Sequence, residues 1–182
     1  GEYAFSECTS LTNIKLPNGV TNIARSLLSY CTSLTSVTLG NNVTNIDIAA
    51  FTSCKALTNI IIPESVINIG DSAFSNCTSI ANIVIPESVI NIGDLAFYNC
   101  TSLANVKIPN NVTSIGGLAF YCCSKLTNIV IPDCVTSIGR GAFSSCIALT
   151  SVEIGSGVTN IDNSTFQNCS SLTNVQVQAD NL

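Results

Sequence analysis

"IPESVINIGDSAFSNCTSIANI" occupies residues 62–83, and "IPESVINIGDLAFYNCTSLANV" follows it at residues 85–106. Only Val84 lies between the two stretches, so the second begins 23 residues after the first. Repetition at a fixed period of about 20–50 residues is the signature of solenoids and other repeat architectures. The chain therefore has to be interpreted unit by unit.

The period of 23 residues runs through the whole chain without an insertion or a deletion. Phenylalanine recurs at one phase, with Leu28 in its place in the second unit, and cysteine recurs at another. The cysteines in phase are Cys8, Cys31, Cys54, Cys77, Cys100, Cys123, Cys146 and Cys169. A coil of this size cannot bury its own apolar side, so the coils must stack. We predict one domain over residues 1–182 with about eight repeats. Because Gly1 lies inside a repeat, we expect a fragment of a longer protein.

Within each unit, segments such as "ANIVIP" (81–86) alternate polar and apolar residues and end at proline. Alternation predicts a strand with one buried face, and proline ends the ladder because it has no N–H. Segments such as "VTSI" (112–115) predict a second short strand, and "DSAFSNC" (71–77) suits one or two helical turns. The predicted fold class is an α/β repeat solenoid with a parallel β-sheet on one side and short strands and helical turns on the other.

Composition excludes several classes of function. The net charge of −5 and six scattered basic residues argue against nucleic-acid binding, and no apolar run reaches the roughly 20 residues of a membrane helix. The absence of histidine removes Ser-His and Cys-His catalysis.

Glu64 and Glu87 share a phase, as do Asp71 and Asp94, and stacking would bring each pair to about 5 Å. Such pairs occur in retaining glycosidases and could bind calcium. Their origin by duplication favours turn residues instead, and we predict no catalytic residue, no metal site and no cofactor.

Eight of the ten cysteines occupy one inward phase, which predicts a file of buried, reduced thiols rather than a disulfide framework. A straight file of thiols does not converge on a tetrahedral zinc ion. Cys122 and Cys134 lie outside this phase. Either they replace the serine or asparagine of other repeats without a functional role, or they are reactive thiols or form disulfides between molecules.

The unit "IP…VTxIGxxAFxxCxxL" resembles the leucine-rich repeats of the Treponema pallidum-type, or BspA-like, class, over almost the whole chain. This resemblance implies a right-handed, curved solenoid whose parallel sheet lies on the concave side. It also implies a cell-surface or secreted protein of a bacterium or a protozoan parasite. The implied role is adhesion to host, matrix or cell-surface proteins.

One column of residues should face outward from the middle of that concave sheet, because it falls between two inward strand residues. We predict this column as the binding site: Lys15, Thr38, Ile61, Val84, Lys107, Val130, Glu153 and Gln176. Ile61, Val84 and Val130 are apolar there, which indicates a contact patch or else simple β-propensity. Columns of threonine and of asparagine or serine flank it, and the amides could form ladders or bind a partner. Tyr30, Tyr98 and Tyr121 are interpreted as a further column.

The predicted function is a non-enzymatic adhesion module that presents the concave sheet to a protein ligand, with a glycan as the alternative ligand. A scaffold inside the cell would suit free thiols, because disulfides are rare in reducing compartments. A carbohydrate-active solenoid that uses Glu64 and Glu87 is the third possibility.

Overall fold

A computed structural model describes residues 1–178 as a parallel β-solenoid. Residues 179–182, the end of the predicted domain, lie outside the described residues. The strands are β1 (Asn13–Lys15), β2 (Asn22–Ile23), β3 (Ser36–Thr38), β4 (Asn45–Ile46), β5 (Asn59–Ile60), β6 (Asn68–Ile69), β7 (Asn82–Val84), β8 (Asn91–Ile92), β9 (Asn105–Lys107), β10 (Ser114–Ile115), β11 (Asn128–Ile131), β12 (Ser137–Ile138), β13 (Ser151–Ile154) and β14 (Asn174–Val177). Seven complete turns of the chain separate β1 from β14.

The strands form two faces of the solenoid. The first face holds β1, β3, β5, β7, β9, β11, β13 and β14, and the second face holds β2, β4, β6, β8, β10 and β12. Pairing is parallel and steps by one repeat, as in Ile14 with Val37 and Ile46 with Ile69. The second face is one continuous sheet, whereas the ladder of the first face is interrupted between β5 and β7 and between β9 and β11. The predicted stacking and the parallel sheet are confirmed.

The core is a set of columns, because equivalent side chains of successive coils lie above one another. The rings from Phe51 to Phe166 stack at centroid distances of 5.1 to 5.6 Å, nearly parallel. This distance is close to the roughly 4.8 Å between neighbouring strands, so the strand ladder sets the ring spacing. Phe5, in the first coil, has a neighbour on one side only and is 40% exposed. Leu28 is fully buried in the same column.

The helical turns predicted at "DSAFSNC" and its equivalents are wrong, since residues 1–178 contain no helix. The backbone there alternates its partners. Ala50 N–H donates within its coil to Asp47 O at 3.2 Å, whereas Phe51 N–H donates to Ala73 O of the next coil at 2.8 Å. A helix would use every N–H within its own coil. The stacked turns instead use alternate N–H groups to hold neighbouring coils together, so the fold is not α/β.

These turn segments also need a left-handed backbone at two positions in most coils. Within residues 1–178, fourteen non-glycine residues and Gly141 have a positive φ near 60°. The conformation costs roughly 1–2 kcal/mol for an ordinary L-residue. Asparagine tolerates it best, and Asn76, Asn99 and Asn168 hold one of the two positions. A left-handed residue at each of these sites breaks the helical run that the sequence pattern suggests.

The last described coil contains one buried polar group that invites a test. Thr165 lies where the equivalent coils carry Ala119 and Ala142, it is 1% exposed, and its Oγ1 has no hydrogen-bond partner within residues 1–178. An unsatisfied buried hydroxyl costs about 1–3 kcal/mol, and the methyl group that is lost offsets part of this. We expect Thr165→Ala to raise the free energy of unfolding by about 1 kcal/mol in urea titrations. Ala142→Thr should lower it, and a destabilised Thr165→Ala protein would contradict the assignment.

Candidate functional site

The predicted binding column lies on the outward side of the first face. All eight of its residues are exposed. The ladder places Lys15 beside Thr38 and Val84 beside Lys107. It also places Glu153 beside Gln176. The structure thus brings the predicted residues into one row, while their role in binding stays a prediction.

The centre of this row is aliphatic. Ile61 is 76% exposed and Val84 77%, although Ile60 and Ile62 on either side of Ile61 are buried. Strand alternation turns these side chains outward, since successive side chains point to opposite faces. Val130 is 49% exposed two coils further along. We call Ile61, Val84 and Val130 the aliphatic row.

A charged pair interrupts the aliphatic row between Val84 and Val130. Lys107 Nζ forms an ion pair with Glu87 Oε1, and the second carboxylate oxygen of Glu87 accepts from Asn110 N–H at 2.9 Å. The hydrogen bond from Lys107, followed by that from the Asn110 backbone, lowers the pKa of Glu87. Glu87 therefore remains an exposed anion at neutral pH, which does not suit a general acid.

Asp71 and Asp94 each hold the next coil in place. Asp71 Oδ1 accepts from Asp94 N–H at 2.9 Å, and Asp94 Oδ1 accepts from Gly117 N–H at 2.6 Å. In residues 1–178 no three histidine, cysteine or acidic side chains converge on a possible metal position. Asp71, Glu87 and Asp94 are thus engaged in backbone contacts between coils.

The amide ladder forms mainly on the second face, which the sequence interpretation missed. Asn45, Asn68 and Asn91 each donate Nδ2–H to Oδ1 of the preceding asparagine at 2.8 to 3.2 Å, starting from Asn22. On the first face, the predicted column of asparagine and serine has one such bond within the described residues, from Asn105 Nδ2–H to Asn82 Oδ1. The repeated asparagine of "TNI" and "INI" could have revealed the ladder, because its period matches the coil.

The cysteine file is a structural feature. All ten cysteines are free thiols, and those from Cys31 to Cys146 in the file are buried. Within the file, which excludes Cys122 and Cys134, each Sγ from Cys31 to Cys169 donates to the carbonyl oxygen of the residue 26 positions earlier, at 3.0 to 3.3 Å. Burial raises the pKa of these thiols, to about 12 for Cys54 and Cys100. Cys134 is exposed and Cys122 half-buried.

The tyrosines do not form the predicted three-membered column. Tyr98 and Tyr121 share a phase and stack at 5.1 Å with an interplanar angle of 8°. Tyr30 lies one position later in its repeat, has a φ of 60° and is half exposed. The interpretation was wrong because the separation of Tyr30 from Tyr98 is not a multiple of the period.

Within the described part of the chain, no helix has the length and apolarity that crossing a bilayer requires. Among curated proteins no significant match was found. Solved structures do match. A leucine-rich cell surface protein from Faecalibacterium prausnitzii is 28% identical with a TM-score of 0.62, over 97% of this chain and 62% of that one. A T. pallidum leucine-rich repeat protein is 30% identical with a TM-score of 0.68, over 90% of this chain and 68% of that one.

The chain therefore spans about two thirds of the length of each relative. The pneumococcal vaccine antigen PcpA, 18% identical with a TM-score of 0.52, shares the fold. The family model of the BspA type leucine-rich repeat region matches this chain in six copies, over residues 1–104 and 67–182. Together with the 23-residue coils, these matches show that the chain belongs to the BspA-type leucine-rich repeat family.

Proposed function

We propose that this chain is a non-enzymatic protein-binding module of a cell-surface protein and that the outward side of the first face contacts the partner. The partner is a host, matrix or cell-surface protein, and the contact is adhesive. The observation that supports this most directly is the exposure of the aliphatic row on a sheet that no other layer covers within residues 1–178. Covering large aliphatic side chains that are three-quarters exposed removes apolar surface from water, which favours binding of a partner.

The rigidity of the face favours binding as well. Backbone hydrogen bonds join successive coils at many points, as in Thr35 N–H to Thr12 O at 2.8 Å and Phe74 N–H to Ala96 O at 2.8 Å. Where the ladder of the first face is interrupted, between β5 and β7 and between β9 and β11, the second face and the turns still join the coils. A pre-formed surface loses little conformational entropy on association. An apolar centre with a polar rim is the usual anatomy of an interface, and here Thr38 and Glu153 flank the aliphatic row at its two ends.

The family supports the location. The relative from F. prausnitzii is described as a cell surface protein. Fold and family do not specify a ligand, so the adhesive role depends on the aliphatic row.

We expect the double substitution Ile61→Lys and Val84→Lys to weaken binding to immobilised matrix proteins and to host-cell surfaces at least tenfold. Two charges would have to be desolvated in the interface. The matched control is Ile67→Lys with Ile90→Lys, two isoleucines of the same coils that are 46% and 48% exposed and precede β6 and β8 on the second face. Equal binding by the wild type and both double variants would refute the proposal, and so would equal losses in both.

The free thiols favour a second candidate, an interaction module inside the cell. Ten unpaired cysteines are unusual for a protein of an oxidising environment. Fractionation of the source cells distinguishes the two candidates. Recovery with the cell surface supports the adhesive module, and recovery with the cell interior supports the scaffold.

A further inference from the structure

The turn segments carry two columns whose side chains change size along the solenoid. The first column is Ser72, Leu95, Leu118, Gly141 and Ser164 in coils four to eight, and the second is Ser75, Tyr98, Tyr121, Ser144 and Gln167. Both columns are large in coils five and six and small in coil seven. The surface therefore drops by two side chains between the sixth and the seventh coil.

This step forms a notch of about 340 Å³ on the side of the molecule that carries the turns. It lies apart from both strand faces. The residues used below are all in its lining: Leu118, Tyr121, Arg140, Gly141, Ser144 and Gln167. Ligand sites in proteins start at about this volume.

Tyr121 presents an aromatic surface to the notch. One face of its ring is covered by Tyr98 at 5.1 Å. The other face is directed toward the seventh coil, where the column holds the small Ser144. The electron-rich face of an aromatic ring attracts weakly polarised C–H groups, such as those on one face of a pyranose ring.

Gly141 keeps the notch open. It has a φ of 64°, and a Cβ atom there would lie 2.9 Å from Leu118 Cδ2. Leu95 and Leu118 hold the same position in their coils with φ values of 57° and 55°. The backbone therefore accepts leucine in this column, and it is the missing side chain of residue 141 that creates the space.

Arg140 supplies the charge. Its side chain is exposed, and within residues 1–178 it has no ion-pair partner. A guanidinium binds a carboxylate through two parallel hydrogen bonds. Ser144 is buried at the base of the notch, and its hydroxyl donates to Gln167 O at 3.1 Å. The side-chain amide of Gln167 offers both donors and an acceptor.

We propose that this notch binds an acidic sugar residue, with its carboxylate on Arg140, its ring against Tyr121 and its hydroxyl groups on the side-chain amide of Gln167. The ligand is a uronic or sialic acid unit of a glycan. The site is independent of the proposed protein-binding face. The chain would thus carry a glycan contact and a protein contact on different sides of one rigid solenoid.

The test is a set of NMR titrations of the whole chain with glucuronic acid, N-acetylneuraminic acid, glucose and acetate. We expect both acidic sugars to bind at least tenfold more tightly than glucose and acetate. Arg140→Gln should remove at least tenfold of that affinity, because a hydrogen-bonded charge pair is lost. Lys125→Gln, which removes an exposed cation elsewhere in the same coil as Tyr121, should leave it unchanged.

Gly141→Leu should abolish binding while the far-UV circular dichroism stays that of the wild type, because the column already accepts leucine. Three results would each overturn the proposal. Glucose or acetate could bind as tightly as the acidic sugars, Arg140→Gln could behave as Lys125→Gln does, or the filled notch could still bind. None of them affects the outcome for the variants of Ile61 and Val84.

Discussion

Phe97→Ala is expected to lower the free energy of unfolding by about 3–5 kcal/mol. Phe97 is fully buried, and its ring stacks on Phe74 at 5.3 Å and on Phe120 at 5.1 Å. The substitution removes both ring contacts and leaves a cavity between two coils. Backbone hydrogen bonds hold these coils at their spacing, so the cavity cannot close. Urea unfolding followed by circular dichroism measures the loss.

Phe5→Ala is the matched control for this prediction. Phe5 holds the same position in the first coil, where it has one neighbouring coil and is 40% exposed. Its removal should cost less than half as much, since less apolar surface returns to water and no enclosed cavity forms. Equal losses for the two variants would show that the stacked column is not what stabilises the coils.

Raising the pH above 9 is expected to unfold the protein cooperatively. Burial raises the pKa of Cys54 and Cys100 to about 12, and it raises those of Cys77, Cys123 and Cys146 as well. A thiol in the unfolded chain has a pKa of about 8.5. Below that pH the thiols are neutral in both states, and their contribution to stability is fully present. As the pH rises toward 12 the unfolded chain loses protons that the folded chain keeps, so stability falls.

Each such thiol lowers the free energy of unfolding by up to about 1.4 kcal/mol per pH unit, and the five together lower it by up to about 7 kcal/mol per pH unit. This exceeds the stability of an ordinary domain within two pH units. Urea titrations at a series of pH values between 7 and 10 measure the slope. Stability that stays constant over that range would contradict the burial of neutral thiols.

Two variants identify the source of the slope. Cys100→Ala removes one buried thiol and should reduce the slope by about 1.4 kcal/mol per pH unit, apart from its own effect at neutral pH. Cys134→Ala removes a thiol that is exposed in the folded protein, and it should leave the slope unchanged. A slope that responds equally to both substitutions would assign the alkaline unfolding to other groups.

The period of 23 residues alone determined the stacking of coils, the parallel strands and the identity of the core. Because the repeat is unbroken, each side chain must lie directly above or below the equivalent side chain of the neighbouring coil. Phe97 and Cys100 could therefore be assigned to buried columns, and Ile61 and Val84 to one outward row, from the sequence. The regularity of the pattern replaced the long-range information that a sequence normally lacks.

The tertiary structure decided how the backbone of each turn is bonded and what happens between side chains of different coils. The composition of "DSAFSNC" is typical of a helix, yet Phe74 N–H donates to Ala96 O in the next coil. Every buried backbone N–H needs an acceptor, and the stacked coils supply acceptors outside the segment. The pairing of Glu87 with Lys107 and the step beside Gly141 follow from substitutions in single coils, which a consensus averages away. A repeat fixes what is common to all coils, and the features that distinguish one coil from the next depend on the contacts that only the folded chain creates.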